Sequence, residues 1–272
     1  MRFIAPARNV VDPAVFARPP LSLWNEHADL LRSDWPDIAA LNARCRDETA
    51  HFVAQTPALL ADGLHYEQRI FERGEIATRE RNWHDLLNAL VWLRFPRLKR
   101  ALNSRQVDEI ARTGPKYRTR AQCALTHFDE AGVVVALRDP ALLALWDAHD
   151  WVGLFWRERA AWSDGRIEAV VFGHALLEHA LSPAQMLTGK ALAIVLPKNA
   201  NVENAINAAA HAIRDGQALH DPQEMRPLPL SGIPGWHAHC DDESFYREAA
   251  CFRPLRAGRC YPAVLRFSQA SA

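Results

Sequence analysis

The segment "NWHDLLNALVWLRFP", from Asn82 to Pro96, has the clearest secondary-structure pattern in the chain. Its apolar residues recur three and four positions apart, the spacing of one buried helix face; they are Leu86, Leu87, Leu90, Val91 and Leu93. Thr78 or Asn82 can cap the start of this helix. Because Pro96 disfavours α conformation in Phe95, we predict that the helix ends or kinks there.

Polar residues interrupt this apolar helix near its start. His84 and Asn88 are four residues apart and share a face, whereas Asp85 lies about 100° round the helix from His84. The segment "VFGHALLEHA" repeats the spacing, since His174 and Glu178 are four residues apart on a short predicted helix that follows a predicted strand, 167–172. The glycine before His174 allows another group to approach closely. We expect the two helices to flank one pocket.

Imidazole and carboxylate groups are ligands that Zn²⁺, Mn²⁺ and Fe²⁺ accept. The candidate metal ligands in the sequence are His84, Asp85, His174 and Glu178. The candidate catalytic residues, of which the last two come from a predicted turn, are His84, Asp85, Asp129 and Glu130. A bound metal with an open position would lower the pKa of its water to about 7 and supply a hydrolytic nucleophile.

The same polar residues also have a structural interpretation. A carboxylate at the position of Asp85 stabilises a helix N-terminus by about 0.3–1 kcal/mol. His84 and Asn88 can form local hydrogen bonds, and a pair such as His174 and Glu178 is common on helix surfaces. Under this interpretation the groups form a hydrogen-bonded brace between two helices and hold no metal.

The remaining pattern predicts an α+β fold, mostly helical with a small antiparallel or mixed sheet. Two β-prone runs joined by Asp129-Glu130-Ala131-Gly132 predict a hairpin near 121–137, and the alternation in 66–71 suggests a strand. Five prolines in 1–36 predict an extended N-terminal arm. We expect residues 37–272 to form a single α+β domain, because no internal repeat divides them.

The composition of the chain indicates which partners and which compartment to expect. The chain has 272 residues, 49% of them hydrophobic, and 32 basic residues balance 32 acidic ones, so nucleic-acid binding is not expected. Arginines and prolines interrupt the N-terminus, which therefore lacks the apolar run of a signal peptide, and no membrane span is expected. Five scattered cysteines without a CxxC pair are typical of a reduced, cytoplasmic protein.

Several motifs together resemble a bacterial family of unknown function, DUF3025, over about residues 66–254. The resemblance rests on the HDxxNALVWLxFP helix, the DE-x-G turn, the GHAL-x-E segment and the GIPGW loop. These motifs contain His84, Asp85, Asn88, Asp129, Glu130, His174, Glu178 and Trp236. The resemblance implies a mainly proteobacterial cytoplasmic protein whose conserved region is one domain, and it implies no established activity.

Two functional hypotheses follow from these residues. The first is a cytoplasmic interaction or ligand-binding protein with a buried His/Asp/Glu brace, whose partner is a small molecule or another protein. The alternative is a metal-dependent hydrolase that uses His84, Asp85, His174 and Glu178 with a divalent Zn, Mn or Fe ion. The two hypotheses differ in one measurable property, the metal content of the purified protein.

Overall fold

The computed structural model describes residues 3–114 and 117–267 and has an α+β fold, as predicted. The helices are α1 (Ala28–Arg32), α2 (Ile38–Asn42), α3 (Pro57–Leu60), α4 (Tyr66–Arg73), α5 (Trp83–Arg94), α6 (Pro96–Thr113), α7 (Arg120–Ala131), α8 (Ala141–Asp147), α9 (Arg159–Ser163), α10 (His174–His179), α11 (Val202–Arg214) and α12 (Glu243–Glu248). The strands are β1 (His51–Ala54), β2 (Glu75–Thr78), β3 (Gly132–Leu137), β4 (Ile167–Val171), β5 (Thr188–Val195), β6 (Arg226–Pro229) and β7 (Leu265–Arg266).

The larger sheet is mixed, with strand order β4-β3-β5-β6 and with β7 also paired to β5. Its central strand β3 is antiparallel to β4 and parallel to β5. Every residue of β3 is buried, as expected for the unbroken apolar run GVVVAL. A second, two-stranded parallel sheet pairs β1 with β2.

The predicted hairpin at 121–137 is wrong, because helix α7 precedes strand β3 there. Thr119 and Gln122 form a capping box in which each side chain accepts a hydrogen bond from the other residue's backbone N–H. Ala124, Leu125 and Phe128 are fully buried and form one face of the helix. The cap and this buried face favour the helix, and Gly132 begins the strand directly without a turn.

The strand suggested at 66–71 is also wrong, since these residues form α4. The ring of His65 accepts a hydrogen bond from the backbone N–H of Glu67 at 3.2 Å and caps the helix start. Gly74 ends the helix with a φ of 68°, a left-handed conformation that glycine adopts without strain. The strand of this region is β2, which follows that glycine.

The N-terminal segment is not extended, in contrast to our expectation for 1–36. It forms short 3₁₀ turns at Arg8–Val10, Pro13–Ala17 and Leu21–His27, followed by α1. Trp24 is buried and packs edge-on against Phe95 at the end of α5. The tertiary contacts of its apolar residues favour compact turns over an extended arm.

Helix α5 is the element that positions the polar residues of the sequence. It begins after Asn82, one of the two predicted caps, whose side chain accepts a hydrogen bond from the backbone of Asp85 at 3.1 Å. One of its sides packs against α10, which also contacts α7. Across residues 3–114 and 117–267, none of the helices combines the length and apolar character needed to cross a membrane.

Candidate metal centre

Three helices bring four of the predicted site residues together. His84 lies in the first turn of α5, Asp129 and Glu130 lie in the last turn of α7, and His174 is the first residue of α10. The rings of His84 and His174 meet edge to face, with their centroids 4.4 Å apart. The structure therefore confirms that the two helices flank one pocket.

Gly173 makes this convergence sterically possible. A Cβ atom at this position would lie 2.5 Å from both the Ala131 Cα atom and the Gly132 nitrogen, closer than real Cβ contacts. The backbone of Gly173 also donates a hydrogen bond to the Gly132 carbonyl at 2.8 Å. The start of α10 is thus held against the end of α7, next to Glu130.

Each imidazole has one nitrogen that faces a carboxylate. His84 Nδ1 lies 3.0 Å from Glu178 Oε2. His174 Nδ1 lies 3.8 Å from Asp129 Oδ2, beyond hydrogen-bond distance, and is buried without a hydrogen-bond partner among the described residues. The hydrogen bond with Glu178 favours the His84 tautomer that carries the proton on Nδ1, which leaves a lone pair on Nε2.

The two Nε2 atoms lie only 3.0 Å apart. Two facing lone pairs would repel each other, so this separation fits either a hydrogen bond, in which one ring carries a proton on Nε2, or a metal ion between the rings. Two nitrogens bound to one metal at about 2.0–2.1 Å are separated by about 2.9 Å at a right angle and about 3.3 Å at the tetrahedral angle. The observed separation lies within this range.

Glu130 adds a carboxylate to the pair of imidazoles. Its Oε2 lies 3.5 Å from His174 Nε2, and its Oε1 lies 3.9 Å from His84 Nε2. One ligand atom from each of these three residues lies within 4.8 Å of the other two. Two imidazoles and one carboxylate are the ligand set of several zinc hydrolases and of many non-haem iron sites.

The electrostatic environment differs between the two histidines. Burial lowers the pKa of His174 to about 3, so its ring is neutral at physiological pH. The hydrogen bond with Glu178 raises the pKa of His84. Burial raises the pKa of the Glu130 carboxyl, although the adjacent His84 opposes the shift. The group therefore contains a neutral imidazole, a more basic imidazole and a carboxyl group.

A buried lysine neutralises Asp129. Burial alone would raise the pKa of the Asp129 carboxyl, but nearby positive charge, chiefly that of Lys99, outweighs this effect and lowers it. Lys99 Nζ lies 2.6 Å from Asp129 Oδ1 and donates a hydrogen bond to Asn88 Oδ1 at 2.8 Å. The amide of Asn88 in turn donates to the Tyr66 hydroxyl at 3.1 Å. The sequence patterns singled out neither Lys99 nor Tyr66 as members of the site.

The remaining predicted residues have other partners. Asp85 accepts hydrogen bonds from the backbone and the guanidinium of Arg79 at 2.6 to 3.0 Å, and it is not part of the three-residue group. Glu178 contacts Nδ1 of His84, while Nε2 is the ring nitrogen that approaches His174. In this arrangement Glu178 orients a ring, and Glu130, rather than Asp85 or Glu178, is the carboxylate that lies with His84 and His174 in the group that could hold a metal ion.

The group opens into a polar cavity of about 470 Å³. Helices α4, α5, α6 and α7 line the cavity, and the α6 stripe of Lys99, Asn103 and Gln106 faces it. Glu67 from α4 also lines it, and burial raises the pKa of this carboxyl to about 7. The volume is in the range of small-molecule sites.

Comparisons with known proteins identify the family and no activity. No curated protein and no solved structure matches the chain at a significant level. A family model described as a protein of unknown function, DUF3025, matches residues 50–256, which is more than half of the chain. The match includes His84, Glu130 and His174 and extends slightly beyond the predicted 66–254. The chain therefore belongs to the DUF3025 family.

Proposed function

We propose that the protein is a metal-dependent hydrolase whose divalent ion is held by His84, His174 and Glu130. The observation that carries the proposal is the 3.0 Å separation of two Nε2 atoms beside a carboxylate. Glu178 and Asp129 support it, because carboxylates behind metal-bound histidines fix the ring tautomer and raise ligand basicity. Zn²⁺, Mn²⁺ and Fe²⁺ all accept this ligand set.

Three protein ligands leave a coordination position for water and substrate. The metal would lower the pKa of a bound water to about 7 and so provide hydroxide at neutral pH. Hydrolysis would add a water oxygen to the electrophilic carbon or phosphorus of the substrate and break its bond to the leaving group, which would take up the proton lost by that water. The polar cavity supplies room for a small-molecule substrate.

A specific observation also favours a second function, a ligand-binding protein without a metal. The hydrogen bond between His84 Nδ1 and Glu178 suits an imidazolium, which could donate its other proton to His174 Nε2. The cluster would then be a brace between α5 and α10, and the cavity would bind its ligand without chemistry. This function predicts the same fold and no stoichiometric metal.

Metal content separates the two functions. Protein purified without a histidine tag should contain about one equivalent of a divalent transition metal by elemental analysis. His174→Gln should lose the metal, whereas His127→Gln, a control at an exposed histidine of α7, should retain it. Metal-free wild-type protein that also fails to bind added Zn²⁺, Mn²⁺ or Fe²⁺ would support the brace instead.

Activity is tested on the same samples. Hydrolysis of a panel of activated carboxylate and phosphate esters should stop on treatment with a chelator and return when the metal is restored. Hydrolysis that is unchanged by the chelator and by His174→Gln would contradict the proposed chemistry.

A further inference from the structure

The cavity beside the metal centre contains one arginine with no acidic partner. Arg79 and Lys99, the other cavity-lining basic side chains with fixed charge, pair with Asp85 and Asp129. Arg118 precedes α7 and forms no ion pair with any described residue. Its exposed guanidinium donates a hydrogen bond to Thr126 Oγ1 at 2.8 Å, and both residues line the cavity.

The position of Thr126 relates this arginine to the metal centre. Thr126 and Glu130 are four residues apart on α7 and share a face, so their Cβ atoms are about 5–6 Å apart. His65 lines the same part of the cavity, and its pKa is lowered by burial and by the positive charge of Arg118. A cationic group thus lies about one to two helical turns from the proposed metal ion.

Two buried amide side chains also line the cavity. Asn103 uses its NH₂ group to donate to Glu67, and Gln106 uses its own to donate to Thr126. Within the described part of the chain, the carbonyl oxygens of both amides accept no hydrogen bond. Both residues are at least nine-tenths buried, so these acceptors are available to hydroxyl or N–H groups of a ligand in the cavity.

We infer that the substrate is a small polar molecule with an oxyanion group, a carboxylate or a phosphate, which Arg118 binds while the metal centre holds the bond to be hydrolysed. Guanidinium binds both oxyanions through paired, charge-assisted hydrogen bonds. This inference rests on the proposed function for the reacting end of the substrate.

Glu67 is the acidic residue that could oppose an anion here. Its side chain accepts a hydrogen bond from Asn103 at 2.7 Å and has no basic partner among the residues that the structure describes. Because burial raises the pKa of this carboxyl to about 7, a large fraction of it is protonated and uncharged at neutral pH. Repulsion of the substrate anion is correspondingly small.

The test measures binding of inorganic phosphate and of acetate, in separate titrations, to the full chain before and after metal removal. Arg118→Gln should weaken binding of the preferred anion to metal-free protein by about tenfold or more. The anion affinity of Arg118→Lys should lie between those of the wild type and Arg118→Gln. Arg247→Gln, which changes an exposed arginine of α12, should have the affinity of the wild type. Circular dichroism checks that each variant is folded.

The outcomes separate this inference from the proposed function. Equal anion binding by wild type and Arg118→Gln, or no anion binding by wild type, overturns the inference even if the protein contains metal. Anion binding that depends on Arg118 in a protein that binds no metal leaves the oxyanion site in place and overturns the hydrolase. If the wild type binds metal, Arg118→Gln should keep the full metal content, because the arginine contacts none of the proposed ligands.

Discussion

His84 and His174 are 90 residues apart in the chain, and their Nε2 atoms lie 3.0 Å apart. A carboxylate stands behind each ring, Glu178 for the first and Asp129 for the second. His84 is therefore oriented from behind by its hydrogen bond with Glu178, and the Nε2 atoms of both rings face a common point next to Glu130.

Glu178→Gln should weaken metal binding without preventing it. Glutamine can still accept a hydrogen bond from His84 Nδ1, but the ring loses the negative charge that raises its basicity. Loss of such a partner typically reduces metal affinity by about 10- to 100-fold. Competition with a chromophoric chelator measures the change, and Glu203→Gln, at an exposed position of α11, serves as the control. Unchanged affinity would show that Glu178 does not orient a ligand.

Gly173→Ala should destabilise the fold and lower metal occupancy together. The added Cβ would meet backbone atoms of Ala131 and Gly132 at 2.5 Å, so α10 must move away from α7. We expect a cost of about 1–3 kcal/mol in the free energy of unfolding. Gly63→Ala is a control with a φ of 68° and no atom near the added Cβ, so it should lose stability without losing metal.

Lys99→Met should be strongly destabilising, because it leaves the Asp129 carboxylate without its cation. Lys99 is 4% exposed, and removal of one member of a buried ion pair costs about 3–5 kcal/mol. Adding Asp129→Asn to this variant should recover part of the loss, since no unpaired charge then remains. Urea unfolding of the two single variants and the double variant measures the coupling. Additive losses would contradict the buried pair.

Stability should fall as the pH rises through the titration of Glu67. Folding raises the pKa of this carboxyl from 4.5 to about 7, so its protonated form stabilises the folded state. That contribution is complete below about pH 4.5 and is lost as the pH passes 7, with a slope of at most about 1.4 kcal/mol per pH unit. Urea unfolding at several pH values should show a weaker decline for Glu67→Gln than for wild type.

The control for this pH dependence is Glu72→Gln, an exposed glutamate on the same helix. Its free energy of unfolding should decline with rising pH as steeply as that of the wild type. If Glu67→Gln declines as steeply as the wild type between pH 5 and 8, another group is responsible for the titration.

The sequence predicted those parts of the site that depend on residues close together in the chain. The apolar spacing and the Asn82 cap correctly placed α5, and the strand followed by glycine and histidine correctly placed the start of α10. The four-residue spacing of polar residues on two predicted helices also supported the expectation that His84 and His174 flank one pocket. They could not assign partners for Asp85 and Glu178, because these depend on Arg79 and on the position of the His84 ring.

The wrong prediction of a hairpin at 121–137 had the largest consequence for the site. When it is read as a hairpin, Asp129 and Glu130 lie in an exposed turn. As a helix, the segment forms a polar stripe of Gln122, Thr126 and Glu130 that faces the cavity. Lys99, Asn103 and Gln106 show the same helical spacing on α6, so a search for polar stripes on both helices could have revealed the cavity.

X-ray absorption spectroscopy of zinc-loaded protein tests the central claim most directly. We predict one tightly bound ion per chain, with a first shell of two imidazole nitrogens and carboxylate or water oxygens at about 2.0–2.2 Å. His84→Gln and His174→Gln should each remove the imidazole scattering of one ligand or abolish binding. A protein that binds no zinc, or a shell that lacks two imidazoles, would contradict the proposed centre.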